Sequence, residues 1–386
     1  LSKIFPKDSK LEVIGSSLGR YFADNPKYFF INHYNNNNNN IKLIWVTKSK
    51  NVVLEIRKNS NLPVVYLYSL KGVYFVLRAS KAYISHRLDD INGSLMGGAV
   101  IIQLWHGVPL KKIGYKGDWD DKGFIGKVKV ILNKLFPYTY YITCDILVSP
   151  SEKVKYIYIE AFSQSFRNDK IAENIVLGIQ PRTTYFIENI EFEKSFFPEI
   201  EFLDNANQKF EKIISWLPTQ RKQLNKTIVD VIKDTKLDFE WLDKKFKEKN
   251  YLFVIKAHFL DMEALKNSAK NYDNIIIYPH SDPYPLLKFT DILITDYSSV
   301  FFDFLLLDRP IIFLCHDLVE YTERVSLYYN LEDIVPGVIY KQWSEIVNNI
   351  DKDEFSKERE RVLDNFKFVR NTNLRGVIEE KFNQII

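Results

Sequence analysis

Cysteine and methionine are scarce, with two of each in 386 residues. Cys144 and Cys315 stand far apart in the chain. They supply neither a disulfide framework nor a close-spaced thiolate pair for a metal, and a reducing, cytoplasmic setting is expected. Glycine and proline number fourteen each, which excludes a collagen-like or low-complexity chain. Excess charge is also small: 53 basic against 49 acidic side chains leave +4. That balance excludes a surface-wide field for nucleic acid, so any anion site has to be local. Long apolar runs are missing. Ala99 to Leu104, broken by Gln103, and Ile311 to Leu314 stop far short of the roughly 18 residues that span a bilayer. No signal-peptide pattern is visible, and work at a membrane is expected to be done from its surface.

What is present is an ordinary globular composition, 46% hydrophobic and 15% aromatic, in a chain long enough for two domains. Short apolar runs alternate with amphipathic segments of helical length, which predicts βαβ units and parallel sheets. Four runs end in polar residues: Ala99 to Leu104 before Trp105-His106-Gly107, Ile213 to Leu217 before Pro218-Thr219, Leu252 to Ile255 before Lys256-Ala257-His258, and Ile292 to Thr295 before Asp296-Tyr297-Ser298-Ser299. Open α/β sheets bind ligands beyond the carboxyl ends of their strands, so these groups are candidates to converge. An acidic, irregular stretch from Ile187 to Lys212 predicts the boundary between domains at 1–190 and 211–386. Asn35 to Asn40 reads as a solvated loop, and no internal repeat is found.

Each segment has a chemical and a plain structural reading. His106, at a strand end beside Gly107 and before Lys111-Lys112, suits proton acceptance at neutral pH; alternatively it hydrogen-bonds a loop. Lys256 and His258 fall on one side of an extended chain and could meet a phosphate, or His258 could be a satisfied core residue. Asp296, Ser298 and Ser299 open a helix and could bind an anion, or Ser298 could be a simple cap. Thr219 and Arg221 suit phosphate contact, with an exposed turn as the alternative. Arg182 follows the turn Gly178-Ile179-Gln180-Pro181. Lys122, Lys127, Lys129 and Lys134 are interleaved with apolar residues over 122–141, a pattern that suits an anionic bilayer surface or a helix docked on a core. The six histidines show no HExxH spacing and no G-x-S-x-G elbow is present, so phosphate chemistry without a protein-held metal or cofactor is expected.

Taken in order, these segments resemble the CDP-glycerol glycerophosphotransferase family of teichoic acid and capsule polymer enzymes. The resemblance runs through Asp24-Asn25-Pro26-Lys27-Tyr28, Trp105 to Gly114, Leu217-Pro218-Thr219-Gln220-Arg221, Lys256-Ala257-His258, and Ile294 to Pro310. It implies a GT-B fold, two Rossmann-like domains facing a cleft, the N-terminal one on the acceptor side and the C-terminal one holding the CDP-alcohol. It also implies His106 as general base, His258 as a second essential histidine at the donor phosphates, and Asp296, Ser298, Ser299, Thr219 and Arg221 as donor-site residues, with Arg182 and Lys256 as further candidates. The chain departs from the family at Gly178 to Thr184, where the usual Gly-x-Pro-Arg-Asn-Asp is altered, at Phe259 in place of a proline, and at Asn371-Thr372-Asn373.

The expected reaction is attack by a hydroxyl of a lipid-linked glycan or a growing polyol-phosphate chain on a CDP-polyol, with CMP released at the inner membrane face. Which polyol, which acceptor, how many units and what oligomer stay open. A GT-B glycosyltransferase using a nucleotide sugar and a non-catalytic membrane-surface protein are the competing readings.

Overall fold

The computed structural model describes residues 2–35, 41–114, 128, 144–162, 171–187, 197, 199–258, 261–269, 272–370 and 373–385. The chain forms two compact units. The first takes in Leu1–Gly107, Ile113–Phe196 and Phe366–Ile386, the second Val108–Lys112 and Phe197–Asn365.

The first unit is built on seven parallel strands: β1 (Asp8–Ile14), β2 (Lys42–Thr47), β3 (Val64–Tyr66), β4 (Ala79–Ile84), β5 (Val100–Gln103), β6 (Ile146–Ser149) and β7 (Ile175–Leu177). Their order is β3-β2-β1-β4-β5-β6-β7. Central strands such as β1 and β4 are buried toward their carboxyl ends, as strands covered on both faces must be. Ile14 is in register with Trp45 on one side and Tyr83 on the other, so β1, β2 and β4 end on the same edge of the sheet. Helices start where short polar side chains can satisfy open backbone N–H groups: Ser49 Oγ accepts from Val52 N and Ser69 Oγ from Gly72 N. Gly72 is required there, because a Cβ would lie 2.1 Å from the Tyr66 carbonyl oxygen.

The second unit has six parallel strands: β8 (Lys212–Leu217), β9 (Tyr251–Ile255), β10 (Ile275–Ile277), β11 (Ile292–Thr295), β12 (Ile311–Leu314) and β13 (Ile339–Tyr340), ordered β10-β9-β8-β11-β12-β13. Its core centres on Trp216, with Trp343 edge-on at 5.0 Å and Phe253 edge-on to Trp343 at 5.3 Å. A reciprocal capping box between Thr227 and Asp230 starts the helix Ile228–Asp234.

Two segments lie apart from the division expected from sequence. Phe366–Ile386 belongs to the first unit, although 211–386 reads in sequence as one domain. Leu374 and Ile378 of the helix Leu374–Ile385 are buried, and Leu374 packs over Gly178, where a Cβ would sit 2.4 Å from its Cδ1. The buried carboxylate of Glu12 takes Arg375 at 2.7 Å and Lys81 at 3.2 Å, and Lys81 also reaches Glu379 at 2.6 Å. Residues Val108–Lys112 belong to the second unit, fixed by Lys112 N to the Ser326 carbonyl and Tyr328 N to the Leu110 carbonyl. Among the described residues no helix is long and apolar enough to cross a membrane.

Candidate active site

In the second unit the chain goes from β8 to β9 and β10 on one side, then returns to β11 on the other. The loops after β8 and β11 therefore part, and a crevice opens at their carboxyl ends, where open α/β sheets bind ligands. Residues 218–221 and 296–299 meet at this point. Asp296 accepts from the backbone N–H of Thr219 at 3.0 and 3.1 Å. Arg221 pairs with Asp296 at 2.9 Å and with Asp317, beyond β12, at 2.8 Å. Its guanidinium carbon lies 4.7 Å from the Tyr297 ring and 5.3 Å from Tyr321, and those rings stack at 3.7 Å. Tyr297 donates its hydroxyl to Asp317 at 3.0 Å.

This network gives Arg221 and Asp296 partners within the protein. The Arg221 side chain is 0% exposed and that of Asp296 3%, and the two are engaged with each other. Burial opposes the guanidinium's charge, but the two carboxylates overcome it and hold its pKa above the usual value. The Asp317 carboxyl is held below its usual range, since Arg221 and His316 outweigh burial. Arg221 and Asp296 tie the loops after β8, β11 and β12 together. What they present is Thr219, Ser298 and Ser299. Ser298 and Ser299 are partly exposed, with Ser298 Oγ accepting from Val300 N at 3.4 Å. Among the described residues the buried hydroxyl of Thr219 has no hydrogen-bond partner, which is uncommon for a buried polar group. The helix they precede, Val300–Phe304, has five residues, so hydroxyls and N–H groups matter more here than a macrodipole.

At the end of the neighbouring strand β9, His258 is exposed and Lys256 partly buried. Burial lowers the pKa of both; the nearby ammonium of Lys256 adds to this for His258, and the Asp261 carboxylate opposes it. Lys111 approaches the Arg221 cluster within the same unit, its ammonium 5.5 Å from the Tyr321 ring. Burial lowers its pKa to about 8 against the pull of Asp296.

In the first unit His106 follows β5 between two residues with positive φ, Trp105 at 58° and Gly107 at 148°. The side chain of Asn25 holds this turn by donating to the carbonyls of Leu104 and Trp105 at 3.0 and 2.9 Å. The His106 ring stacks on His86 at 4.2 Å and on Trp105 at 4.4 Å. Its Nδ1 lies 2.8 Å from the Ser85 carbonyl oxygen. A carbonyl only accepts, so Nδ1 carries the proton and Nε2 keeps its lone pair. Burial and the neighbouring His86 lower the pKa of His106 to about 4, although Asp24 pulls the other way.

Arg182 is 4% exposed. It pairs with Asp24 at 2.8 Å and donates to the His106 carbonyl at 2.6 Å, so it braces the histidine turn. Asp24, His86, Asp317 and Lys111 adjoin the candidate residues, and sequence reasoning gave them no role. Polar residues at the strand ends Ile84-Ser85-His86 and Leu314-Cys315-His316-Asp317 were the signal for two of them. Lys122, Lys127, Lys129, Lys134 and Phe259 lie outside the described residues.

A family model described as CDP-Glycerol:Poly(glycerophosphate) glycerophosphotransferase matches residues 1–375. The chain belongs to this family. It is an enzyme family, and the fold is the expected α/β GT-B class with Rossmann-like parallel sheets. Among relatives of this glycerophosphotransferase, the teichoic acid poly(glycerol phosphate) polymerase of Bacillus spizizenii is 26% identical over 383 residues, covering 98% of this chain and 93% of the relative. The teichoic acid glycerol-phosphate transferase of Staphylococcus aureus is 27% identical, covering 88% and 83%. The chain spans 42% of the length of a Bacillus spizizenii teichoic acid poly(ribitol-phosphate) polymerase to which it is 29% identical. In structure it resembles the wall teichoic acid polymerase TagF, with a TM-score of 0.71 at 23% identity over 98% of this chain and 90% of TagF.

Proposed function

We propose that this glycerophosphotransferase moves glycerol phosphate from CDP-glycerol to a hydroxyl of a lipid-linked glycan or growing polyol-phosphate chain and releases CMP. The acceptor oxygen attacks the β-phosphorus, and the bond from that phosphorus to the CMP phosphate oxygen breaks. The hydroxyl proton passes to Nε2 of His106, and the leaving CMP carries the displaced charge. Thr219, Ser298, Ser299 and His258, with Lys256 behind it, offset that charge on the donor diphosphate, as prearranged donors can. Arg221 and Asp296 hold the loops that carry Thr219, Ser298 and Ser299, and Arg182 does the same for His106. The 1–190 region is the acceptor side and 211–365 the donor side of this division of labour. The reaction takes place at the inner membrane face, with Lys122, Lys127, Lys129 and Lys134 as the candidate contacts to anionic lipid.

The observation that carries this reading is the hydrogen bond from His106 Nδ1 to the Ser85 carbonyl at 2.8 Å, which leaves Nε2 as a fixed proton acceptor. A general base of this kind is worth about 10² to 10⁴ in rate. The test is transfer to a lipid-linked acceptor followed by product mass. A gain of one or more glycerol-phosphate units supports the reading; a product with a gain of hexose mass instead would sink it.

A further inference from the structure

The first unit has a switch point of its own. From β3 the chain returns past β1 to β4, so the loops after β1 and β4 part at the carboxyl edge of the sheet. A cavity of about 590 Å³ opens there, lined by Arg20 and Tyr21 after β1, Lys48 and Ser49 after β2, and Arg87 and Asp89 after β4, among others. Its size is that of a small-ligand pocket. Three cations face one carboxylate. Arg87 meets Asp89 at 3.0 Å, and Lys48 donates to the Asp89 carbonyl oxygen at 2.5 Å. The exposed Arg20 side chain has no ion-pair partner among the described residues.

The backbone leading into the cavity is held in an unusual shape. Ser17, Leu18 and Gly19 have φ of 51°, 58° and 77° in succession, a costly arrangement for side-chain-bearing residues. It is maintained by Asp90, which accepts from Leu18 N at 2.7 Å, by Thr47 Oγ1, which donates to the Gly19 carbonyl at 2.8 Å, and by Lys48 N, which donates to the same carbonyl.

Residues 85–90 serve the cavity and His106 together. The Ser85 carbonyl accepts from His106, and the His86 ring lies against it. Asp90 Oδ2 accepts from the N–H groups of both Ser85 and His86 at 2.8 and 2.7 Å, while its other oxygen holds Leu18. Arg87 and Asp89, between them, line the cavity. One short loop thus sets an anion-attracting pocket in register with the base.

We propose that this cavity binds a phosphate ester of the acceptor, set back along the acceptor from the hydroxyl that attacks. Excess cationic charge suits a phosphate and would be wasted on a neutral sugar, and Ser49 and Tyr21 offer a hydroxyl and a ring to the carbon chain beside it. The proposal rests on the reading of His106 as the base. The phosphate could belong to a polyol-phosphate chain or to the diphosphate of a lipid-linked acceptor; the chemistry is shared and the test separates the sources.

The test compares the full chain with the Arg20→Ala/Arg87→Ala double variant, using a soluble glycerol-phosphate trimer and a lipid-linked disaccharide diphosphate lacking glycerol phosphate. Both arginines are exposed, so the melting temperature should be kept. The KM for one or both acceptors should rise about tenfold or more, with kcat and the CDP-glycerol KM little changed, and the Arg→Lys pair should restore part of the loss. A rise confined to the trimer assigns the phosphate to the chain, and one confined to the diphosphate acceptor assigns it to the lipid carrier. Unchanged KM for both overturns the proposal. Calorimetric binding of the two acceptors without CDP-glycerol keeps this independent of turnover. Binding by the wild type that is lost in the double variant supports the cavity even if CDP-glycerol proves not to be the donor, whereas equal binding by both proteins, or none by either, rejects it.

Discussion

The His106 imidazole donates from Nδ1 to the carbonyl oxygen of Ser85 at 2.8 Å. One backbone oxygen thereby fixes the tautomer, and the free lone pair is at Nε2. Replacing His106 by Asn removes that lone pair, and transfer should fall by about 10² to 10⁴ in kcat with folding intact. Steady-state kinetics beside a thermal melt measure both. A fall of less than threefold would show that proton removal does not depend on His106.

The same contacts set a pH dependence. The active form of His106 is neutral, and its pKa is lowered to about 4 by burial and then by His86. Activity should therefore hold as pH falls through 6.5 and decline only as it approaches about 4 to 5. His86→Phe keeps a ring against His106 and removes the repelling charge, so the acid limb should move upward. A limb that stays fixed in the His86 variant would contradict the assignment of that titration to His106.

Arg221 predicts a stability effect, not a simple binding effect. Its side chain is fully buried between Asp296 and Asp317, and Arg221→Met leaves two carboxylates without their shared cation. Breaking a buried pair in this way costs about 3 to 5 kcal/mol. Denaturant unfolding should show a loss of that order. A loss below about 1 kcal/mol combined with a large rise in CDP-glycerol KM would mean that Arg221 reaches the donor directly.

His258 predicts the opposite pattern. It is exposed at the end of β9, so His258→Ala should leave unfolding within about 0.5 kcal/mol of wild type while lowering turnover of CDP-glycerol. Preserved turnover would remove His258 from the donor site.

The docking of the C-terminal helix is tested by Lys81→Met. Lys81 is 3% exposed and bridges Glu12 and Glu379. Its loss leaves Glu12 with Arg375 alone, and the first unit should lose about 3 kcal/mol or more. Limited proteolysis should then cut within 366–386 first. Unchanged proteolysis would show that Leu374 and Ile378 hold the helix without this ion pair.

Local pattern carries strand ends well, because an apolar run followed by polar residues reports burial and its termination together. The parallel α/β plan was legible in that way, and so were the strand-end positions of His106, His258, Ser298 and Ser299. Pairing across long separations is not visible in such a pattern. Arg221 and Asp317 stand 96 residues apart and Arg182 and Asp24 158 apart, and nothing local to any of them marks it as an ion-pair partner. Arg221 and Arg182 read as candidate phosphate contacts, and their burial among carboxylates and carbonyls could not be foreseen. The return of Phe366–Ile386 to the first unit is hidden likewise, since Leu374 and Ile378 specify an apolar stripe but not the sheet it covers. The cavity at Arg20, Lys48 and Arg87 needs three strands side by side before it exists.

The central claim is the donor. Incubating the chain with CDP-glycerol, CDP-ribitol, UDP-sugars and GDP-sugars in turn, with a lipid-linked acceptor, and identifying the released nucleotide tests it most directly. Acceptor-dependent CMP is expected from CDP-glycerol, with no UDP or GDP from the sugars. Turnover confined to a UDP- or GDP-sugar, with no CMP formed, would contradict it.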